Sequence, residues 1–472
     1  MRHPNVLLII CDHLSTRVVG AYGEGEGCTP NIDRVAANGV SFGRVYTTYP
    51  LCMPARASFW TGRYPHQTLV ESNGGKYTNG PLPEDLTTVG EHFKSVGYRC
   101  VHFGKAHDFG TLKGFEVFPV GEELSVPSPH EAWPENYDTW QDNDTLAKCE
   151  QWLAAATDEP FVCVADINNP HNICGWVGAN NSMEGPVTAV PVPGVLPELP
   201  DNFTSDDLAE LPLPVRYICC THNRQAQTQH WDETNYRHYI AAFRHYTQLA
   251  DDGVGRLLRA LEGAGKLDNT IVVVMADHGD SQTSHGLVTK QVHFYDEVVR
   301  VPFIIAGPGI TRNSGVCHEP LGSLLDLFPT LCGLTGVRLP TGLMGVDWSQ
   351  FLGGGEAEIR SCVAAEWLTE WGHELSPGRM IRSERYKYIR YLEGDGEILY
   401  DMINDPGEKQ NLAGEQSFSQ VLQEHREMLA RHVEESGDNF FSREVVVDER
   451  WRSHEPGWQC HRGIAAPMAQ KS

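Results

Sequence analysis

The sequence lacks both long apolar runs and a basic character. No apolar stretch approaches the roughly 18–20 residues that a membrane helix needs, so we expect no membrane span. Lysine and arginine total 37 against 62 aspartate and glutamate residues, which gives a formal net charge of −25. Nucleic-acid binders show the opposite balance, so we exclude that class. Because such a field repels anions, an anionic substrate would have to be attracted by cations gathered locally in a pocket.

The sequence also lacks paired-cysteine motifs, and its first residues are not typical of a secretory leader. Its 13 cysteines are an odd number and include no Cys-x-x-Cys pair, which argues against a zinc module or a disulfide framework. The start MRHPNVLLIICDH has an apolar run of only about six residues before an acidic turn, so we interpret it as a first strand rather than a signal peptide. These features predict a reduced, cytoplasmic protein.

Short β-branched runs alternate with helical patterns through the first three quarters of the chain. The predicted buried strands are 5–10, 98–103, 161–167, 270–276 and 301–306, and the predicted helices run from Thr29-Pro30 to Gly39, over 84–96 and over 234–264. This alternation predicts an α/β fold, in which helices cover both faces of a large, mostly parallel sheet. Residues 186–200, rich in proline and valine, are predicted to form a surface loop.

The pattern changes after a glycine-rich break at 353–355. Residues 379–392 are typical of a hairpin, 397–402 of a third strand, and 417–435 of a helix with one apolar face. The expected organisation is a catalytic domain at 1–355 and a smaller α+β domain at 356–472 that contains an antiparallel sheet. A chain of this length exceeds the size at which a single core keeps growing, which also favours two domains.

Chemically active side chains follow four of the predicted strands. They are Asp12 and His13, then Lys105 and His107, then His171, and finally Asp277 and His278 with Lys290 further along. In an open α/β sheet, ligands bind outside the carboxyl ends of the strands, so we expect these groups to lie together. Each one alone has an ordinary structural explanation, such as a turn aspartate or a solvated lysine. Only their joint position suggests a site.

This combination of side chains suits the cleavage of an anionic ester. Asp12 and Asp277, with His278 beside the second, are able to hold a divalent cation that polarises the ester and activates an oxygen nucleophile. Arg56 and the two lysines would neutralise the oxygens of the transferred group. Cys52, in LCMPARASFWTGR, is then a packing residue, a metal ligand or a nucleophile.

The stretch around Cys52 resembles the motif of a known family. Cys52-Met53-Pro54-Ala55-Arg56 followed by Thr61-Gly62-Arg63 is similar to the motif of the type I sulfatases, in the alkaline phosphatase superfamily, and the resemblance extends to Lys-x-His at 105–107, Asp-His-Gly at 277–279 and Tyr-Lys-Tyr at 386–388. It implies an alkaline phosphatase-like fold and hydrolysis of a sulfate ester. It also implies that a formylglycine-generating or anaerobic maturation enzyme oxidises Cys52 to Cα-formylglycine, whose hydrate is the nucleophile.

The resemblance assigns roles to the matching positions. The implied metal ligands are Asp12, His13, Cys52, Asp277 and His278. Arg56 would hold the hydrate, Lys105 and His107 would bind sulfate oxygens, and His171 and Lys290 would lie near the leaving-group oxygen. His285 and His293 are left out of the predicted site as structural residues.

One position departs from the commonest family pattern. Asp12-His13 stands where many members have Asp-Asp, so His13 is either a metal ligand or a hydrogen-bonding neighbour of the ligands. The family implies calcium. Imidazole suits calcium less well than oxygen does, which keeps manganese and magnesium as alternatives.

The substrate is expected to be a sulfated carbohydrate rather than an aryl sulfate, because residues 168–176 resemble bacterial sulfatases that act on sugars. Trp176 either stacks on a sugar ring or packs in the core. Three alternatives stay open at this point: a phosphonate monoester or phosphodiester hydrolase with the same site, a choline or aryl sulfatase, and a non-catalytic binding protein that keeps Cys52 unmodified. The sequence does not predict an oligomeric state.

Overall fold

The computed structural model describes residues 3–23, 28–73, 80–121, 138–180, 194–203, 228, 231–290, 293–312, 315–318, 320–356, 360–370, 373–392 and 396–443. The strands are β1 (Asn5–Cys11), β2 (Gly39–Phe42), β3 (Val45–Tyr46), β4 (Arg99–Gly104), β5 (Glu116–Pro119), β6 (Phe161–Ile167), β7 (Thr270–Met275), β8 (Arg300–Val301), β9 (Phe303–Ala306), β10 (Gly315–Cys317), β11 (Gly322–Ser323), β12 (Cys362–Glu370), β13 (His373–Ser383), β14 (Tyr386–Tyr391) and β15 (Glu397–Asp401). The helices are α1 (Pro30–Ala37), α2 (Cys52–Thr61), α3 (Pro65–Thr68), α4 (Val89–Ser95), α5 (Trp140–Ala155), α6 (Ile173–Ala179), α7 (Glu233–Gly263), α8 (Asp296–Val299), α9 (Leu327–Thr335), α10 (Ser349–Leu352) and α11 (Ser419–Ser436).

An eight-stranded sheet forms the centre of the molecule, in the order β10-β2-β9-β7-β1-β6-β4-β5. All neighbouring pairs run parallel except the two that involve β9. Every residue of β1, β6 and β7 is buried, which explains why these strands are continuous apolar runs rather than alternating ones. The predicted α/β fold with a large, mostly parallel sheet is confirmed.

In the first part of the chain, two element boundaries differ from the sequence prediction by more than two residues or divide a predicted element. The single strand expected at 301–306 is two strands, because Pro302 has no N–H to donate and separates β8, which pairs with β3, from β9. The helix expected from residue 84 begins at Val89, because Thr88 and Glu91 form a capping box that fixes its first turn. Of the predicted loop at 186–200, residues up to 193 lie outside the described part of the chain.

A smaller antiparallel sheet of four strands, β12-β13-β14-β15, follows in the chain, and α11 packs on it. Leu422 and Leu429 of this helix join a hydrophobic cluster with Ile381, Tyr388 and Leu399 of the sheet. A second cluster combines other residues of the small sheet with residues from the first part of the chain, among them Tyr49, Leu51 and Phe294. The smaller antiparallel sheet is as expected, but it has one strand more than predicted, because β12 was missed and β13 begins at His373 rather than at residue 379. The boundary at residue 355 stays a prediction.

Two expectations drawn from composition concern membranes and disulfides. Within the described ranges, no helix combines the length and the apolar character needed to cross a membrane. No cysteine in the same ranges is in a disulfide bond. The cytoplasmic location stays a prediction.

A buried ionic network joins α3 to the small sheet. His66 Nδ1 lies 2.6 Å from Glu366 Oε1 and its Nε2 lies 3.1 Å from the carbonyl oxygen of Ser436. Arg379 continues the network, with its Nε 2.6 Å from Asp438 Oδ2 and its Nη2 3.9 Å from Glu366 Oε2. Burial lowers the pKa of His66, but the Glu366 carboxylate outweighs burial and raises that pKa to about 9. Both ring nitrogens face acceptors, so the protonated imidazole is the form that fits.

The His66 network makes stability depend on pH. The pKa of His66 is higher in the folded chain, about 9, than its ordinary value of 6.5, so its contribution is fully present below pH 6.5 and is lost as the pH rises through about 9. We expect His66→Gln to lower the urea unfolding midpoint clearly at pH 6 and much less at pH 10. Gln67→Ala removes a hydrogen bond from an uncharged side chain to the same Ser436 carbonyl. This substitution should lower the urea unfolding midpoint by the same amount at both pH values. An equal effect of His66→Gln at both pH values would contradict this account.

Candidate active site

The site is built around the first turn of α2. Cys52 is the first residue of this helix and Arg56 lies four residues later, so their side chains share one helix face. Both residues are buried. A thiol at a helix N-terminus lies at the positive end of the helix dipole, which favours the thiolate over the thiol.

Arg56 binds three carboxylates that come from neighbouring strands of the large sheet. Its Nε lies 2.9 Å from Asp277 Oδ2, its Nη2 lies 3.0 Å from Asp12 Oδ2, and its Nη1 donates to Asp166 Oδ2. Asp12 follows β1, Asp277 follows β7 and Asp166 lies in β6, so one guanidinium ties three strand ends to α2. Lys105, just after β4, donates to the same Asp12 Oδ2 atom. All three carboxylates are buried, and their ion pairs offset the cost of burying charge.

The other oxygens of two of these carboxylates belong to a group that we call the primary group: Asp12, Cys52, Asp277 and His278. Their potential ligand atoms all lie within 4.8 Å of one another. His278 Nε2 lies 3.8 Å from Asp12 Oδ1, 3.7 Å from Asp277 Oδ1 and 3.2 Å from Cys52 Sγ. His278 Nδ1 lies 3.0 Å from the Gly279 carbonyl, and this contact leaves the Nε2 lone pair directed at the group. Two carboxylates, an imidazole and residue 52 form a donor set that fits a divalent cation.

Neighbouring charges shift the pKa values of the two carboxylates in the primary group in opposite directions. Burial and the Cys52 sulfur raise the pKa of Asp12, but Lys105, His171 and Lys290 outweigh them, so the pKa is lowered well below its ordinary value. Burial and the Asp12 charge raise the pKa of Asp277, and the opposing charges of His278 and Arg56 do not fully compensate. A bound cation would remove this repulsion between the two carboxylates.

Five cationic or proton-donating side chains surround the Cys52 sulfur: Lys105, His107, His171, His278 and Lys290. Lys290 Nζ lies 2.8 Å from Sγ, and His107 and His171 each lie within hydrogen-bonding reach of it. Burial raises the pKa of Cys52, but Lys290, Lys105 and His278 outweigh burial and lower the pKa well below its ordinary value. The local positive field expected for an anionic substrate is therefore present, although the chain as a whole carries a charge of −25.

His13 lies beside the primary group rather than in it. Its backbone N–H donates to Asp277 Oδ1 at 3.2 Å. Its ring points away, with Nε2 3.0 Å from Asp280 Oδ2 and Nδ1 4.0 Å from Cys174 Sγ. Of the two roles considered for His13, this geometry favours the neighbour over the ligand. The backbone of His13 has φ 77°, an unusual value for a residue with a side chain, and this conformation turns the ring aside.

His285 and His293, which were left out of the predicted site, make structural contacts, and so does Trp176, whose role the sequence left open. His293 Nε2 lies 3.1 Å from Ser281 Oγ inside the protein, and the His285 ring stacks on Tyr295 with centroids 3.8 Å apart. Trp176 is buried, and its ring packs edge-on against Trp231 at 5.8 Å. It is therefore a core residue and is not available to stack on a sugar.

Sequence reasoning missed Asp166, Asp280 and Asp142. Asp166 is the only charged residue in the buried strand FVCVADI, and a charge at such a position signals a buried partner, which is Arg56.

Asp280 accepts hydrogen bonds from Tyr239 and from the Gln282 N–H, and burial raises its pKa to about 7. Asp142 accepts the backbone N–H of Asn168 at 2.6 Å and so fixes the turn that leads to His171. It lies on α5, far from the motif, and no local pattern marks it.

Comparisons with known proteins agree with this geometry. The family described as Sulfatase matches residues 4–337, and the family described as N-sulphoglucosamine sulphohydrolase, C-terminal, matches residues 283–435.

Individual relatives extend the match over nearly the whole chain. A Delta 4,5-hexuronate-2-O-sulfatase of Bacteroides thetaiotaomicron is 47% identical, over 98% of this chain and 95% of the relative. A solved structure of a 2-O GAG sulfatase superimposes with a TM-score of 0.89 at 46% identity, covering 98% of this chain and 99% of that one. A phosphonate monoester hydrolase of Agrobacterium radiobacter, at 22% identity and a TM-score of 0.77 over 93% of this chain and 97% of its own, shares the fold. The chain therefore belongs to the sulfatase family and is a hydrolase of sulfate esters.

Proposed function

We propose that this sulfatase acts on a sulfated saccharide and that its substrate is a 2-O-sulfated hexuronate with a 4,5-unsaturated ring. Support comes from the relative at 47% identity, whose name gives this substrate, and from the superimposed structure, which is described as a 2-O GAG sulfatase. The sequence-based expectation of a carbohydrate over an aryl sulfate agrees with both. A 2-O-sulfated uronate carries a sulfate and a carboxylate close together, and a cation-rich pocket suits such a substrate.

The observation that carries the proposal is the arrangement of cations around residue 52. Lys290 Nζ is 2.8 Å from its sulfur, and Lys105, His107 and His171 surround the same point. A sulfate group placed against residue 52 would therefore meet a positive charge on more than one side. Lys105 and His107 bind its peripheral oxygens, while His171 and Lys290 lie at the leaving oxygen, one of them supplying the proton that the departing sugar hydroxyl needs.

We further propose that Cys52 is oxidised to Cα-formylglycine. The hydrate of that aldehyde supplies a hydroxyl nucleophile, and its second hydroxyl allows the sulfate to be expelled without direct attack by water. Arg56 is held by three carboxylates and therefore keeps a fixed position one helical turn from residue 52. Its role is to position the acidic ligands. Because all three of its nitrogens are bound to carboxylates, it does not hold the hydrate directly, as the family resemblance had implied.

We also propose that calcium is held by Asp12, Asp277, His278 and residue 52. The cation supplies Lewis-acid polarisation of the sulfate and of the attacking hydroxyl when it is bound. After oxidation, residue 52 contributes oxygen rather than sulfur, so the donor set becomes three oxygen-bearing residues and one imidazole. That set favours hard cations over zinc, with manganese and magnesium as alternatives to calcium.

Oxidation of Cys52 is testable by mass spectrometry. The tryptic peptide Val45–Arg56 should be lighter than its cysteine form and should react with hydrazides when the protein is co-produced with a maturation enzyme.

Cys52→Ala should lower kcat by about 10⁴–10⁶-fold, as loss of a nucleophile does, and should leave the fold intact. Cys100→Ala, a buried thiol on β4, should keep turnover. A fully active protein with an unmodified Cys52 would contradict the proposal.

The substrate proposal predicts a clear order of specificity constants. For the matured protein, kcat/KM on a 2-O-sulfated, 4,5-unsaturated disaccharide should exceed that on an aryl sulfate or on a 6-O-sulfated hexosamine by about 10³-fold or more, because a site built for a polar ring rejects analogues that lack its contacts. A phosphodiester, tested beside these three sulfate esters, should be the poorest of the four substrates. The Cys52→Ala protein, purified in parallel, reports any contaminating sulfatase. Preference for the aryl sulfate or the phosphodiester would overturn the saccharide assignment.

A further inference from the structure

Three side chains with soft or borderline donor atoms meet beside the primary group. His13 follows β1, His171 follows β6, and Cys174 lies in the first turn of α6. One ligand atom from each lies within 4.8 Å of the others, and His13 Nδ1 is 4.0 Å from Cys174 Sγ. We call these three residues the soft-donor cluster. It shares no residue with the primary group.

The orientation of His13 suits metal binding at Nδ1. Its other nitrogen, Nε2, lies 3.0 Å from Asp280 Oδ2, although the two atoms are out of line for a regular hydrogen bond. Asp280 is itself held by the Tyr239 hydroxyl at 2.7 Å and by the Gln282 N–H at 2.7 Å. A histidine whose second nitrogen faces an anchored carboxylate is the usual arrangement at protein metal sites, because the carboxylate fixes the ring and makes it more basic.

The distances and donor types fit a soft or borderline divalent cation. With zinc–sulfur and zinc–nitrogen bonds of about 2.3 and 2.1 Å, the sulfur and nitrogen of a tetrahedral site lie roughly 3.6 Å apart, so closing the 4.0 Å separation needs only a small shift. A thiolate and two imidazoles select zinc or cobalt(II) over calcium. His171 is partly exposed, which leaves the cluster open to solvent at that residue.

We propose that His13, His171 and Cys174 form an inhibitory site for a soft divalent cation such as zinc. Binding forms one metal–sulfur and two metal–nitrogen bonds, and the thiol proton of Cys174 is released to the buffer. No electron is transferred. Binding engages His171, so it removes that imidazole from the sulfate ester. This consequence rests on the role that the proposed function gives to His171, whereas the binding itself does not.

Cobalt(II) spectroscopy tests binding without reference to activity. The Cys52→Ala protein removes the thiol of the primary group, and excess calcium is added to compete for the carboxylates of that group. Titration with cobalt(II) should then produce a near-ultraviolet thiolate-to-cobalt charge-transfer band with one-to-one stoichiometry. The double variant Cys52→Ala, Cys174→Ser should lack the band. The double variant Cys52→Ala, Cys317→Ser, which removes a partly buried thiol on β10, should keep it. A band that persists in the Cys174→Ser protein would overturn the site.

Zinc inhibition of the matured enzyme tests the consequence. Cys174→Ser should raise the zinc concentration for half-inhibition by more than the roughly 10–100-fold that loss of an outer-shell partner costs, and turnover without zinc should be retained. Added calcium should not relieve the inhibition of the unsubstituted enzyme. Equal inhibition of both proteins, or relief by calcium, would overturn the inhibitory role. A Cys174-dependent cobalt band without zinc inhibition would keep the site and overturn the role proposed for His171.

Discussion

The contact of one buried guanidinium with three buried carboxylates determines the rest of the site. Arg56 uses all three of its nitrogens on Asp12, Asp166 and Asp277, and the side chain is 1% exposed. Removing one partner from a buried network of this kind costs several kcal/mol, since the remaining charges lose compensation. The network therefore fixes the ends of three strands relative to α2. It also occupies one oxygen of Asp12 and one of Asp277, so that the other oxygen of each joins His278 beside residue 52.

The chain as a whole is negatively charged, whereas the space around residue 52 is positively charged. The chain carries a formal charge of −25, while the space around residue 52 is surrounded by Lys105, Lys290, His107 and His171. An anion is therefore attracted only at short range, where it meets several donors at once, and this restricts the site to ligands that carry a compact negative group.

The small sheet supports the segment that follows Lys290. Lys387, from the Tyr-Lys-Tyr stretch of β14, places its Nζ 2.9 Å from the carbonyl oxygen of Phe294 and 2.8 Å from Glu408 Oε1. Glu408 in turn accepts the backbone N–H of Asp296 at 2.6 Å. A buried lysine in one sheet thus anchors the chain a few residues beyond a cationic side chain of the site, which gives a physical reason for the second sheet to be part of the enzyme.

The sequence predicted well what depends on local pattern and on strand ends. The apolar runs located β1, β4, β6 and β7, and the rule that parallel strands bring their carboxyl ends together placed Asp12, Lys105, His171 and Asp277 around residue 52. It failed where a single residue or a distant partner decides the structure. Pro302 divides one predicted strand into two, and Thr88 moves a helix start.

The sequence also did not predict which way the side chains of the site point or which partners they bind. The partnership of Asp166 with Arg56 links residues 110 positions apart. The ring of His13 turns aside because of an unusual backbone conformation and because of Asp280, a contact that no spacing in the sequence indicates.

The most direct test of the central claim is anomalous diffraction from crystals of the matured protein soaked with manganese in place of calcium. The account predicts a single strong peak at the primary group, bounded by the Oδ1 atoms of Asp12 and Asp277, by His278 Nε2 and by an oxidised residue 52, with Arg56 still bound to the opposite carboxylate oxygens. A peak elsewhere, or an unoccupied primary group with the two Oδ1 atoms turned away from residue 52, would contradict it.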